Sequence, residues 1–218
     1  NLNYWYNGRD FNQIWGYVSD GYYSINDFDP EQAKNNVWVL KEGVTKINGY
    51  TPQPGDEKFK DLNGDGIINT GAGTVDDPGD RKVIGNSTQR FQFGANLGVG
   101  YKGFDLSVVA NGAAGQEIVQ SYRNHSNKTA NYTTAILDRW TGEGTSNRMP
   151  RVTEQNINWE FSDLYIHDGD YLRISNVTLG YDFAKLMGIK KITQCRLYGQ
   201  VQNVFTFTNY DGMDPEIG

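Results

Sequence analysis

The sequence predicts an all-β protein built as a segment of an antiparallel transmembrane β-barrel with long extracellular loops. Three observations carry that prediction. Several segments alternate apolar and polar side chains with a period of two. Short turns join those segments at one end and long polar stretches join them at the other. No apolar run reaches the roughly 18 residues a membrane helix needs, whereas barrel strands need only about 9 to 11 and leave no hydropathy peak.

The clearest alternation is FQFGANLGVGY, residues 91 to 101. Phe91, Phe93, Ala95, Leu97, Val99 and Tyr101 fall on one parity, with Gln92, Gly94, Asn96, Gly98 and Gly100 on the other. After Lys102-Gly103, Phe104, Leu106, Val108 and Ala110 alternate with Asp105, Ser107 and Asn111, and Val109 is the one exception. A two-residue hairpin turn at Lys102-Gly103 requires Tyr101 and Phe104 to share a face, and both are aromatic. A second pair is expected from NVTLGYDF, with Val177, Leu179, Tyr181 and Phe183 on one side, and CRLYGQVQNVF, with Leu197, Val201 and Phe205. The connection at 184 to 191 is short. Arg173 and Asn203 share the parity of the apolar faces and are therefore expected near or beyond the membrane's edge, because Arg facing lipid at mid-bilayer costs about 2 to 4 kcal/mol. Residues 1 to 90, 116 to 165 and 207 to 218 read as polar loops, with one weak strand at WGYVSDGYY, 15 to 23. Five or six strands in all fall short of the roughly eight that close the smallest membrane barrels, so a larger barrel is expected around them.

Composition agrees with strands and turns: 26 Gly and 14 Tyr in 218 residues, with Asn and Thr plentiful. A net charge of -6 argues against nucleic acid, which demands a concentrated basic surface. The single cysteine, Cys195, excludes an internal disulfide and reads as a small side chain in a strand. Gly98-Val99-Gly100-Tyr101-Lys102-Gly103 matches a dinucleotide fingerprint, but such a motif must open a helix and here a strand follows. His125 and His167 lack a companion at ligand or triad spacing, and Asp168 and Asp170 flank Gly169 in a turn. No catalytic residues are expected. The five tryptophans fall in loops or at strand margins, as interfacial anchors do.

One loop, 54 to 86, is acidic and carries a metal-type motif. Asp61-Leu62-Asn63-Gly64-Asp65-Gly66-Ile67 fits the opening of an EF-hand calcium loop, in which Asp61, Asn63 and Asp65 offer side-chain oxygens, Gly66 permits the sharp turn and Ile67 offers its carbonyl. The twelfth position is Ala72 rather than an acid, so Asp76, Asp77 or Asp80 has to close the site. Structural Ca2+ is the expected ligand, and stiffening the loop its expected role. From the residues alone two functions remain open: a transporter barrel, or a soluble secreted β-domain that binds carbohydrate with calcium.

Segments spread over nearly the whole chain, in order, resemble the C-terminal part of SusC/RagA-family TonB-dependent outer-membrane transporters. They are WGYVSDGYY (15 to 23), PGDEKFKDLNGDGIIN (54 to 69) with DRKVIGN (80 to 86), FQFGANLGVGYKGFDLSVVANGAAGQEI (91 to 118), DRWTGEG with MPR (138 to 151), DGDYLRISNVTLGYDF (168 to 183) and QNVFTFTNYDGMDPEIG (202 to 218). The resemblance implies that residues 1 to 218 belong to a roughly 22-stranded barrel in the bacterial outer membrane, its outer wall on lipid. It implies a plug and a TonB-contacting segment upstream, a final strand downstream of Gly218, a SusD-like surface lipoprotein as partner, and oligosaccharides or peptides as substrate. Asp80-Arg81 follows the glycines of the acidic loop at a longer spacing than the family's, which bears on Asp80 as a ligand.

Overall fold

A computed structural model of the chain describes residues 2–120, 130–146, 148–153, 156–184 and 193–216. His125 and residues 185–191 of the predicted short connection lie outside them. The strands in chain order are β1 (Gln13–Gly16), β2 (Ser19–Tyr22), β3 (Lys46–Ile47), β4 (Glu57–Phe59), β5 (Ile67–Ile68), β6 (Lys82–Asn86), β7 (Phe91–Tyr101), β8 (Phe104–Ala114), β9 (Glu117–Val119), β10 (Ile166–Asp168), β11 (Tyr171–Asp182) and β12 (Arg196–Thr208). Helix among the described residues is confined to short turns, such as Pro30–Ala33, where the Asp29 carboxylate accepts from the amides of Glu31 and Gln32. The chain divides into two compact units, 1–86 with 119–166 and 87–118 with 167–218.

The first unit is the part that the sequence reads as polar loops, and it has a hydrophobic core of its own. Tyr17, Tyr23, Phe28, Ile47, Phe59, Ile68 and Ile157 are buried together, with Trp38, Leu40, Val44 and Tyr50 packed at the margin. Burial of each large side chain contributes about 1.5 to 3 kcal/mol, enough to organise a segment poor in regular structure. The backbone is tied by small pairings: β1 with β6 and β2 with β4, both antiparallel, and β3 with β5, parallel. The expected strand at 15 to 23 is thus split across β1 and β2. Its apolar side chains are too few and too irregularly spaced to form one half-buried strand, and they enter this small core instead.

The second unit is dominated by a four-stranded antiparallel sheet in the order β12-β11-β8-β7. The turn at Lys102-Gly103 has φ of 47° and 91° at its two residues, the left-handed pair of a type I′ hairpin, and Tyr101 pairs with Phe104 as the alternation requires. The rows across the sheet run Leu97–Val108–Val177–Val201 and Tyr101–Phe104–Tyr181–Leu197. Beyond the middle of the sheet the parity of β11 changes. Ile174 pairs with Ala110 and Asn176 with Val109, so Ser175 is an extra residue on β11. On the other side Ile174 pairs with Phe205 and Asn176 with Gln202, so two residues of β12, Asn203 and Val204, span the same step, Asn203 with φ of 49°. These β-bulges keep Leu172 and Ile174 on the same face as Val177 and Leu179, although their numbers differ in parity. Arg173 therefore lies on the opposite, polar face. Parity assigned it to the apolar face, and that assignment fails because one inserted residue reverses every side chain beyond it; Arg173 is the third residue of β11, close to the strand's end. Cys195 is exposed and stands just before β12 rather than within a strand.

Candidate functional site

The sheet presents two faces of opposite chemistry. On one, Phe93, Leu97, Val99, Tyr101, Phe104, Leu106, Leu179, Leu197, Val201, Phe205 and Phe207 are all substantially exposed, Leu97 at 67% and Leu197 at 69%. A soluble sandwich would bury these positions against a second layer; among the described residues no such layer covers them. An eleven-residue strand is about 35 Å long, which at the usual barrel tilt of about 45° spans an apolar band of about 25 Å. Gly112 sits under the Phe93 ring, where a Cβ would come within 2.5 Å of it, so glycine lets the aromatic lie flat across the neighbouring strand.

The other face carries Asn96, Ser107, Asn111, Asn176, Thr178, Gln200 and Gln202, and its charges are paired. Arg196 reaches over Gly180 to the Asp105 carboxylate, with Nε at 2.9 Å and Nη2 at 2.5 Å. A Cβ on Gly180 would meet both partners within 2.7 Å, so this bridge depends on a glycine between them. Arg173, with its side chain 12% exposed, donates to Thr206 at 3.1 Å, to Asp214 at 2.6 Å and to Glu216 at 2.6 Å. The Glu216 amide and then the Arg173 guanidinium hold the Asp214 carboxyl below the usual carboxylate range. Arg173 thereby ties the segment after β12 to the sheet. Nothing in sequence spacing signals these pairs, since their members are 33 to 91 residues apart.

Asp168 and Asp170 are engaged in turn formation. Asp168 accepts from the Asp170 amide at 2.9 Å, and Asp170 accepts from the Gly115 amide at 2.6 Å.

In the first unit the acidic loop folds as the motif predicts locally. Both Asp61 oxygens accept backbone amides, from Gly64 at 2.6 Å and Gly66 at 2.7 Å, and these amides depress the Asp61 pKa. Gly64 and Gly66 have φ of 80° and 81°, which a side chain would resist. Asn63 Oδ1 accepts from the Asp65 amide and Asp65 Oδ1 from the Ile67 amide, while Asn63 Nδ2 donates to Asp65 Oδ2 at 3.1 Å. Asp61, Asn63, Asp65 and the Ile67 carbonyl thus share one exposed turn of hard oxygen donors, the chemistry that suits Ca2+. Asp80 is set apart beneath it: fully buried, it accepts from the amides of Leu62 at 2.9 Å and Asn69 at 2.8 Å. Among the described residues, no three His, Cys, Asp or Glu side chains are gathered as a metal cluster. The insertion at 70 to 79 closes on itself through Asp77, which accepts from the Ala72 amide at 2.9 Å.

An antiparallel sheet with one exposed apolar face and one amide-lined face defines the class: a segment of a β-barrel wall. Comparison with known proteins gives the family. No protein-family model matches the chain. It is 32% identical over 213 residues to TonB-dependent receptor P3 of Formosa agariphila, covering 96% of this chain and 19% of that protein. It is 31% identical over 217 residues to TonB-dependent receptor P39 of the same organism, and 30% identical over 190 residues to the TonB-dependent receptor SusC of Bacteroides thetaiotaomicron. The RagAB peptide transporter structure superposes with a TM-score of 0.61 at 18% identity, over 94% of this chain and 20% of that one. The open-open state of the RagAB peptide importer gives 0.58. By sequence and fold together, the chain corresponds to a segment of the SusC/RagA-type TonB-dependent receptors. It spans about a fifth of the length of the curated relatives it matches.

Proposed function

We propose that the intact protein is an energised importer, and that this chain supplies part of its barrel wall and of the loops at its mouth. The exposed apolar face of the sheet carries the reading, because lipid is the solvent that makes such a face stable. The wall belongs to a roughly 22-stranded barrel in the bacterial outer membrane, occluded by a plug formed elsewhere in the protein. Oligosaccharides or peptides pass inward with TonB coupling, under a SusD-like surface lipoprotein that meets the first unit and the segment after β12. The chain contributes no catalysis. In support, the acid pair at the Gly169 turn, Asp168 and Asp170, is engaged with backbone amides. At the acidic turn, Asp61, Asn63, Asp65 and the Ile67 carbonyl would hold Ca2+ as hard oxygen donors, while Asp80 clamps the backbone beneath through the Leu62 and Asn69 amides. The ion stiffens the loop and activates nothing.

The test is uptake of labelled oligosaccharide and peptide mixtures by cells carrying the intact protein. Transport that stops when the proton-motive force is collapsed is the expected result. A protein that partitions into buffer without detergent overturns the reading and returns it to a secreted, calcium-dependent carbohydrate-binding domain.

A further inference from the structure

At the heart of the first unit lies a buried polar seam that neither the barrel nor the acidic turn uses. Glu57 on β4 is fully buried, as are Asp56 and Ser162, and Asn158 nearly so. Ser162 Oγ donates to Glu57 Oε1 at 2.6 Å, and the Glu57 amide donates to Asn158 Oδ1 at 2.8 Å. Glu57 Oε2 is sealed from water and takes no hydrogen bond of ordinary geometry. The seam joins three segments distant in sequence: β2, β4 and the stretch Ile157–Tyr165.

Among the described residues no cation is turned toward this carboxyl. Arg151, the nearest basic group in the seam, is spent on Asp56, with Nε at 2.6 Å from Oδ1 and Nη2 at 3.3 Å from Oδ2. Lys58, next on β4, points instead to Asp27 at 3.8 Å and to the Tyr23 ring. Asp163, on the stretch that covers Glu57, adds negative field and is held by the Ser19 amide at 2.8 Å. Tyr22 lies opposite Glu57 on β2, and the Tyr165 hydroxyl donates to the Asn158 carbonyl. Asp56 is already paired by Arg151 and by Asn158 Nδ2 at 3.1 Å. A charge on Glu57 would therefore stand in a dry site, met by the Ser162 and Ser19 hydroxyls, with the acid Asp163 nearby.

We propose that the buried Glu57 carboxyl is a proton-gated latch: neutral, it stays sealed between β2, β4 and the stretch Ile157–Tyr165, and ionised it draws water into the dry seam, so that this stretch loosens from β2 and β4 even though Ser162 still donates to it. Burial raises the Glu57 pKa from 4.5 to about 8, with Asp163 adding to the rise and the Ser162 and Ser19 hydroxyls opposing it. The unfolded carboxyl ionises near 4.5 and the folded one near 8. The latch's contribution to stability is therefore whole below the first value and is lost as pH rises through the second.

Hydrogen exchange of the intact protein in detergent tests it, read on amides 17–22 and 157–166 at about pH 6 and about pH 9 after correction for intrinsic rates. The expected result is about tenfold or greater loss of protection at the higher pH in the wild type, and none in Glu57→Gln, whose neutral amide cannot ionise. Equal losses in both proteins, or no loss in the wild type, overturn the latch. Should Glu57→Gln fail to assemble, Ser162→Ala and infrared spectroscopy decide. A protonated carboxyl band that persists to higher pH in Ser162→Ala than in the wild type supports the latch, because the variant loses a bond favouring the charged form. An absent or unmoved band overturns it.

Discussion

Asp61 and Asp80 show how two aspartates in one loop take different duties from their surroundings. Asp61 is at the surface, with lone pairs left over after two amide bonds, whereas both oxygens of Asp80 are turned onto amides in a dry site. Replacing Asp61 by Asn is expected to abolish any calcium-dependent rise in the melting temperature of the intact protein, and to lower its calcium-free value modestly because one of the two oxygens accepting the Gly64 and Gly66 amides becomes a donor. Replacing Asp80 by Ala strands two backbone N–H groups and is expected to cost about 2 to 4 kcal/mol with or without calcium. Melting curves in chelator and in millimolar calcium separate the two. If Asp61→Asn still responds to calcium as the wild type does, the turn is not the ion's site. The Asp-x-Asn-x-Asp-Gly spacing announces the turn, because it acts over seven residues. The burial of Asp80 is not announced, since it depends on Asn69 and Leu62 closing over it.

At the scale of elements, the bulge at Ser175 matters more than any single side chain in β11. Because side chains alternate with a period of two, one residue more or less exchanges the faces of everything beyond it. Deleting Ser175 would turn Leu172 and Ile174 to the polar face and Arg173 toward the apolar one, breaking its bonds to Asp214 and Glu216. The expected outcome is loss of the heat-modifiable folded band of the intact protein on electrophoresis. Ser175→Ala, which keeps the count and loses only the contact with Asn111, should retain that band. A deletion that folds as well as the substitution would show that the register is not set here. The hairpin at Lys102-Gly103 illustrates the contrary case, in which turn and flanking alternation agree and the register is legible without coordinates.

For the whole molecule, the exposed apolar face and the amide-lined face have to meet different solvents. Leu97 and Asn96 are neighbours in β7 on opposite sides of the sheet, so one substitution tried at each reads out the environment. Leu97→Arg is expected to destabilise the protein folded into vesicles by about 2 to 4 kcal/mol, the cost of a cation near mid-bilayer, and Asn96→Arg by much less. Equal costs measured by denaturant titration would place both faces in water or both in protein. The first unit, by contrast, is organised by a small aromatic and aliphatic core with the polar seam of Asp56, Glu57, Arg151, Asn158 and Ser162 beside it. Its stability should respond to pH, while the sheet's responds to lipid.

By itself the sequence determined what acts locally: the β7–β8 hairpin, the alternation that gives the sheet its two faces, the Asp61-to-Ile67 turn and the ordered motifs of SusC/RagA-type receptors. Only the tertiary structure decided that residues 1–86 and 119–166 form a compact unit with its own core, that Ser175 places Arg173 on the polar side, and that Glu57 is enclosed beside Ser162. The division has one physical cause. Turn geometry and strand parity are fixed by covalent neighbours, whereas burial and charge pairing join residues such as Asp56 and Arg151, 95 positions apart, which meet only when the chain has folded.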